Sequence, residues 1–322
     1  MRLHVLYRSF GGENQKGRPS YYSKRLSLIS FLRSVQGVPG LDVTFVNNGP
    51  VPADRLVLMQ RSGARVLQIE APTSRVSFRY ALKRAIASDW ADDDVVYFVE
   101  DDYLHAPDAL ARLDAAVRAL PEVSYFLTYG ATRTSPLGSL EHYEECTPKN
   151  WQPREDRVVD GQLWRPALAP TSTYAARVGA VRQDYGIFLQ SHLPYRNHYL
   201  DLQGGLVTQG YEPYRWDRLA REVVGLVPGG VKARVRAIGE APFKVAFNLR
   251  AHRRPGRRRL MFVAEPNLAT HLETEFISPG RDWETVAKDA QRFFDDGGLR
   301  AAAATGRQTA VEGDRSAERG WG

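Results

Sequence analysis

Short apolar runs alternate with longer amphipathic stretches along residues 1–130. Leu3-His4-Val5-Leu6-Tyr7 has a strand pattern, and Tyr22 to Val35 follows with Leu26, Ile29 and Leu32 near the 3.6-residue period of a helix. Asp42–Val46 is β-branched and aromatic and stops at the turn signal Asn47-Asn48-Gly49-Pro50. A short helix over Ala53–Arg61, a strand over Arg65–Ile69 and a helix from Val76 to Ala87 continue the alternation. Asp94–Val99 is the cleanest buried strand. Pro107, whose missing N–H costs nothing in a first turn, opens a helix to Leu120, and Val123–Leu127 gives one more strand. This order predicts βαβ units: an α/β fold with a mostly parallel central sheet flanked by helices.

From Gly130 to Pro170 the periodicity dissolves into a long irregular stretch rich in Pro, Trp and charge, of the kind that serves binding. Order returns with a strand over Thr171–Ala175, helices over Val178–Gln190 and Tyr199–Gln209, and a last helix over Trp283–Phe294. Beyond Gly298 the chain turns to Ala, Gly, Arg, Glu and Ser. Residues 1–297 are therefore expected to form one domain, and 298–322 a disordered tail.

Composition adds exclusions. The single Cys146 excludes an internal disulfide and a Cys-based zinc site, and no apolar run is long enough to span a bilayer. Met1–Arg8 does not read as a secretion leader, so the expected location is the cytoplasm. The net charge of +7 is local: residues 232–259 carry ten Lys or Arg against Glu240 alone, +9 in that segment and −2 elsewhere. Such a segment suits phosphate groups, anionic lipid or plain solvent, and its interleaved apolar residues allow an amphipathic surface helix.

Candidate chemistry centres on Glu100-Asp101-Asp102, directly after the buried strand. In open α/β sheets ligands bind beyond the carboxyl ends of the strands. Adjacent carboxylates repel unless a cation sits among them, and Glu100 and Asp102, at alternate positions, can present oxygens to a hard divalent ion that also holds a diphosphate. A solvated acidic turn is the other reading.

The block Val95–Tyr103 resembles the D-x-D region of GT-A-fold glycosyltransferases, especially the family 2-like group, with Glu in place of the first Asp. Asn47-Asn48-Gly49 resembles that family's nucleoside-contacting turn, Ser77–Leu82 the helix that starts near the nucleotide, Thr171–Arg177 the acceptor-side strand, and Asp201–Leu206 the segment with the acidic base. The resemblance implies a single GT-A-like domain, residues 1–130 its nucleotide-sugar half and 131–297 an irregular acceptor-side half with a basic insertion at 228–260.

It further implies a hexosyltransferase-like, metal-dependent enzyme moving a sugar from a nucleotide-sugar to a carbohydrate, lipid-linked or small-molecule acceptor, with inversion. Asp102, Glu100 and the late His271 would hold Mn²⁺ or Mg²⁺. Glu100 or Asp101 would meet the ribose or sugar, Asn47, Asn48 and Ser77 the nucleotide, and Arg8, Arg79 and the Lys24-Arg25 pair the diphosphate. Asp201, with Asp184 in reserve, would be the base. Trp151 and Trp164 would stack on the acceptor or simply pack their loop. A nucleotidyltransferase on a similar fold is one alternative, although the Gly11–Arg18 loop lacks a P-loop pattern. A non-enzymatic binder of anionic membrane or nucleic acid through 232–259 is another. Peripheral contact with the inner face of a membrane is compatible with the transferase, whereas nucleic acid is not expected as its partner.

Overall fold

A computed structural model describes residues 1–13, 16–191, 201–225, 230–252, 258–299 and the backbone of 312–313. Its strands are β1 (Leu3–Phe10), β2 (Asp42–Asn48), β3 (Arg65–Ile69), β4 (Val95–Glu100), β5 (Tyr103–His105), β6 (Tyr125–Leu127), β7 (Arg157–Val159), β8 (Gln162–Pro166), β9 (Tyr174–Arg177), β10 (Met261–Glu265), β11 (Ala269–His271) and β12 (Glu312–Gly313). Its helices are α1 (Lys24–Ser34), α2 (Ala53–Arg61), α3 (Ser74–Ala87), α4 (Ala109–Ala119), α5 (Leu140–Cys146), α6 (Val178–Ser191), α7 (Asp201–Thr208), α8 (Trp216–Val224), α9 (Gly230–His252) and α10 (Trp283–Asp295).

The large sheet runs β12-β3-β2-β1-β4-β9-β6-β10-β8-β7. It is parallel from β12 to β4, after which β9 enters antiparallel between β4 and β6. β10 rejoins β6 in parallel, and the β7–β8 hairpin closes the far edge antiparallel. Successive side chains of a strand point to opposite faces, and both faces here are covered. Leu3, Val5, Tyr7, Val95, Tyr97 and Val99 join one apolar cluster with α1 and α4 residues, while Leu6, Val96 and Phe98 join another with α3 and α6 residues. The α/β architecture expected from the alternation is thus present. β2 runs two residues past its expected end, through Asn47 and Asn48, and the chain turns at Gly49; α2 and β3 span the predicted residues.

The irregular stretch 130–170 is corrected. It contains α5 and a β7–β8 hairpin whose turn is Asp160-Gly161, with φ of 47° and 77°. Positive φ at both central residues matches the twist of a two-residue hairpin, and Asp-Gly favours it. The strand expected at Thr171–Ala175 begins three residues later, at Tyr174. β10, β11, α8 and α9 stand where no element was expected, apart from the surface helix allowed within 232–259. Of the tail, only Gly298, Leu299 and the two-residue β12, paired with β3, are described. Tyr199 and Leu200, Asn14 and Gln15 of the glycine loop, and Arg253, Arg254 and Arg257 of the basic segment lie outside the described residues.

Candidate active site

β1, β2 and β4 end together, and their carboxyl ends floor a cavity of about 730 Å³. Arg8, Ser9 and Phe10 enter it from β1, Asn48 from β2, Glu100, Asp101 and Asp102 from β4, and Asp201 from the start of α7. Ser74 and Ser77 line it from α3, Lys24 from α1, and Tyr174 from β9.

The parallel register sets Arg8 beside Glu100, and their side chains form an ion pair. Arg8 also donates to the Ser74 carbonyl at 3.1 Å and lies 4.9 Å over the Phe78 ring. The three consecutive carboxylates therefore do not act as one cluster. Glu100 belongs to Arg8.

Asp101 turns inward. It accepts from the Phe10 backbone N–H at 2.7 Å and from the Ser9 hydroxyl at 3.3 Å, and it pairs with Lys24 at 3.2 Å and Arg55 at 3.4 Å. Burial pushes its carboxyl up to about 6, against the opposing pull of Lys24 and the Phe10 N–H. Lys24 and Arg55 also donate to carbonyls of Phe10, Gly11 and Gly12, so Asp101 anchors the loop that leaves β1.

Asp102 faces a third direction. β5 pairs antiparallel with β11, setting His271 opposite Tyr103 and its Nε2 at 3.0 Å from Asp102 Oδ2. Arg18 Nη2 donates to the same oxygen at 3.2 Å. Burial would raise the Asp102 carboxyl, but the imidazole and the guanidinium hold it down at about 2. Lys16 pairs with Glu273 at 2.6 Å, and Arg18 donates to the Leu272 carbonyl at 2.6 Å. The 16–18 segment is thereby clipped to the chain leaving β11, forming one wall.

The opposite wall carries Asp201. Gly204 and Gly205 let α7 approach closely: a Cβ at Gly205 would lie 2.6 Å from Ala169 Cα, and one at Gly204 2.4 Å from Ser191 Oγ. Asp201 is half-buried, and its carboxyl is pushed up to about 7, first by desolvation and then by the negative charge of Glu100. Beside it stand Tyr125, Tyr174 and Phe188, the last two stacked with centroids 6.3 Å apart. Among the described residues the buried Tyr174 hydroxyl has no hydrogen-bond partner.

Arg8, Asn48, Ser77, Glu100, Asp101, Asp102, Lys24, Asp201 and His271 are thus gathered around one cavity. Several other candidates lie elsewhere. Asn47 is wholly buried under the floor, and Arg79 does not line the cavity. Arg25 faces Asp54 at 3.7 Å and the Phe294 ring. Asp184 is fully buried, bonded by the Tyr125 hydroxyl at 2.7 Å and Arg259 Nε at 2.9 Å, so it braces α6 against the exit of the basic segment. Trp164 is in the core against Phe126, and Trp151 packs with Tyr143 and Leu168; neither reaches the cavity. Asn48 bonds both the N–H and the carbonyl of Ala71, fixing the loop before α3.

Sequence reasoning missed Arg18 and Tyr174. Each stood inside a segment already singled out, the glycine loop and the 171–177 block, but only the fold shows that Arg18 bonds Asp102 and that Tyr174 lines the cavity.

As a metal foothold, Asp102 Oδ2 and His271 Nε2 suit one divalent ion: a carboxylate and an imidazole, 3.0 Å apart, both lining the cavity. Glu100, held by Arg8, does not join them, and the described residues contain no group of three or more metal-ligating side chains. A bound diphosphate would have to complete the shell.

No family model matches the chain, and no curated protein matches it. Among solved structures it is similar to the galactosyltransferase LgtC in complex with donor and acceptor sugar analogs, at 9% identity and TM-score 0.41 over 98% of this chain and 99% of that one. It is also similar to S. aureus TarS, at 12% identity and TM-score 0.38 over 64% of this chain; the match takes in 34% of the TarS chain, about a third of its length. A third likeness, to 4-diphosphocytidyl-2C-methyl-D-erythritol synthase, has 13% identity and TM-score 0.35 over 58% of this chain and 79% of that one.

Proposed function

We propose that this protein is a nucleotide-sugar-dependent glycosyltransferase, hexosyltransferase-like, that transfers its sugar to an acceptor hydroxyl with inversion. The observation that carries the proposal is one cavity in which the paired cations and carboxylates of the strand-end floor face the Asp201 carboxylate on the opposite wall. Three cations of the lining suit a diphosphate, Arg8 and Lys24 on the floor, paired with Glu100 and Asp101, and Lys16 on the wall, paired with Glu273; Ser74 and Ser77 line the start of α3 beside them. Asp102 and His271 would hold Mn²⁺ or Mg²⁺, which supplies positive charge to the leaving diphosphate.

Asp201 serves as the base. As the acceptor oxygen bonds to the anomeric carbon and the carbon–phosphate oxygen bond breaks, the acceptor's proton passes to Asp201 and the nucleoside diphosphate departs with the bonding pair. Tyr125, Tyr174 and Phe188 line the wall beside Asp201, and the Tyr174 hydroxyl, buried without a partner among the described residues, would meet a sugar oxygen once the cavity is filled. A cytoplasmic location and a carbohydrate, lipid-linked or small-molecule acceptor belong to the same proposal.

A thermal-shift screen of nucleoside diphosphates tests the donor site. In Mn²⁺, one of them at about a hundred times its Kd stabilises the protein by about 2.7 kcal/mol, and the gain disappears in EDTA or in Asp102→Ala. If none stabilises the wild type, or the variant responds equally, the assignment is wrong.

The Tyr174 hydroxyl gives an independent check. Because it has no partner among the described residues, Tyr174→Phe leaves thermal stability unchanged or raises it by about 1 kcal/mol. The same change raises the KM for donor or acceptor roughly tenfold, the value of one lost hydrogen bond in a closed site. A destabilised variant with unaltered KM would show that the hydroxyl serves the fold instead.

A further inference from the structure

We propose that α9 seats the protein on an anionic lipid bilayer through the face it turns away from the fold. The docking stands on its own observations; the acceptor class drawn from it rests on the glycosyltransferase reading.

α9 has two apolar faces. The inner one holds Phe247 and Ala251, clustered with Ile187 and Val207, while the Asn248 side chain bonds the Tyr214 backbone N–H at 3.1 Å and carbonyl at 2.7 Å. The outer face bears Val231, Val235, Ile238 and Leu249, exposed by 80%, 64%, 50% and 45%, with Pro242 and Val245 between Ile238 and Leu249. Steps of four and three residues keep all six on one side of a helix. An apolar row of about 30 Å facing solvent along a whole helix marks an interaction surface.

Charge decides the occupant. Lys232, Arg234 and Arg236 are exposed beside the row, and residues 230–239 contain no acid. Glu240 is held by Lys244 at 3.3 Å, and Arg259 and Arg250 are drawn into contacts with α6. A second copy packed on this face would bring its cations against these cations and would have to accommodate Pro242 in the seam. An anionic bilayer matches both features, lipid tails for the row and headgroups for its flanks. Among the described residues no helix is long and apolar enough to cross a membrane, so α9 would lie in the interface plane. α7, which begins at Asp201, packs on the inner face of α9 through Val207 and Phe247. Docking would therefore bring the Asp201 side of the cavity near the bilayer and suit an acceptor carried in it.

The test is co-sedimentation of the full chain with vesicles of 70:30 phosphatidylcholine:phosphatidylglycerol, with pure phosphatidylcholine alongside and sedimentation velocity without lipid. The protein should pellet with the anionic vesicles and remain in solution with the neutral ones. Val235→Asp/Ile238→Asp lowers the partition coefficient at least about tenfold, and Lys232→Gln/Arg234→Gln/Arg236→Gln lowers it on the order of a hundredfold. Both variants should keep the wild-type melting temperature and its nucleoside-diphosphate response, which separates this proposal from the donor-site proposal. Absence of anionic-vesicle binding, or variants that bind as well as wild type, overturns it. A dimer dissociated by Val235→Asp/Ile238→Asp, with no vesicle binding, also overturns it and assigns the row to a second copy.

Discussion

Asp201→Asn lowers kcat on the order of 10²- to 10⁴-fold, the usual worth of a positioned general base, when release of nucleoside diphosphate from the donor is followed. The donor's own stabilisation of the protein stays as in the wild type, because Asp201 lies on the wall facing the strand-end floor. The pH profile makes the prediction specific. Burial and then Glu100 push the Asp201 carboxyl up to about 7, and only the ionised form accepts a proton. Wild-type kcat/KM therefore climbs as pH rises toward about 7 and levels off above it, a limb that Asp201→Asn lacks. Glu100→Gln moves the limb to lower pH by removing the repelling charge.

Stability runs in the opposite sense. Folded Asp201 keeps its proton well above the ordinary value of 3.8, so its contribution is fully present below that value and is lost as pH rises through about 7. Asp201→Asn flattens this part of the stability profile. An Asn variant that keeps the wild-type rate or the same acid limb would place the base elsewhere.

Much of the parallel half of the fold was legible because its signals are local. An apolar run such as Val95–Val99 and a turn such as Asn47–Gly49 announce themselves within a few residues. The elements that escaped depend on distant partners. β10 is a short run after the basic segment, identifiable as a strand only once β6 and β8 flank it. α9 was hidden differently: apolar residues on both faces blur a single amphipathic period, and Gly230, Gly239 and Pro242 are poor helix formers. The site followed the same division. The order of the motifs marked the strand-end residues, but the pairing of His271 with Asp102 requires β11 to lie against β5 across more than 160 residues. The basic segment showed as total charge, whereas the structure separates Lys244, Arg250 and Arg259, committed to contacts inside the fold, from Lys232, Arg234 and Arg236, exposed at its surface.

The acidic triplet also divides by its effects on stability and on the response to ligand. Asp101→Asn costs about 1–3 kcal/mol: it leaves two buried cations short of a carboxylate in an intact cavity, a loss offset in part because burial already disfavours the ionised form of Asp101. Lys24 and Arg55 side chains are only 3% and 5% exposed, and both hold carbonyls at the end of β1. The melting temperature falls by about 2–5 °C, at roughly 1.5 °C per kcal/mol for a chain of 322 residues. Adding Lys24→Met to Asp101→Asn costs less than the two single losses together, since each change removes the reason for the other. Asp102→Asn behaves differently. Its carboxylate pairs with Arg18 and His271, which hold it down at about 2, so the variant loses stability at neutral pH and also loses the Mn²⁺-dependent response to nucleoside diphosphate. If Asp101→Asn instead melts within a degree or two of wild type and loses that response, the middle carboxylate is a ligand contact and the anchoring role assigned to it here is wrong.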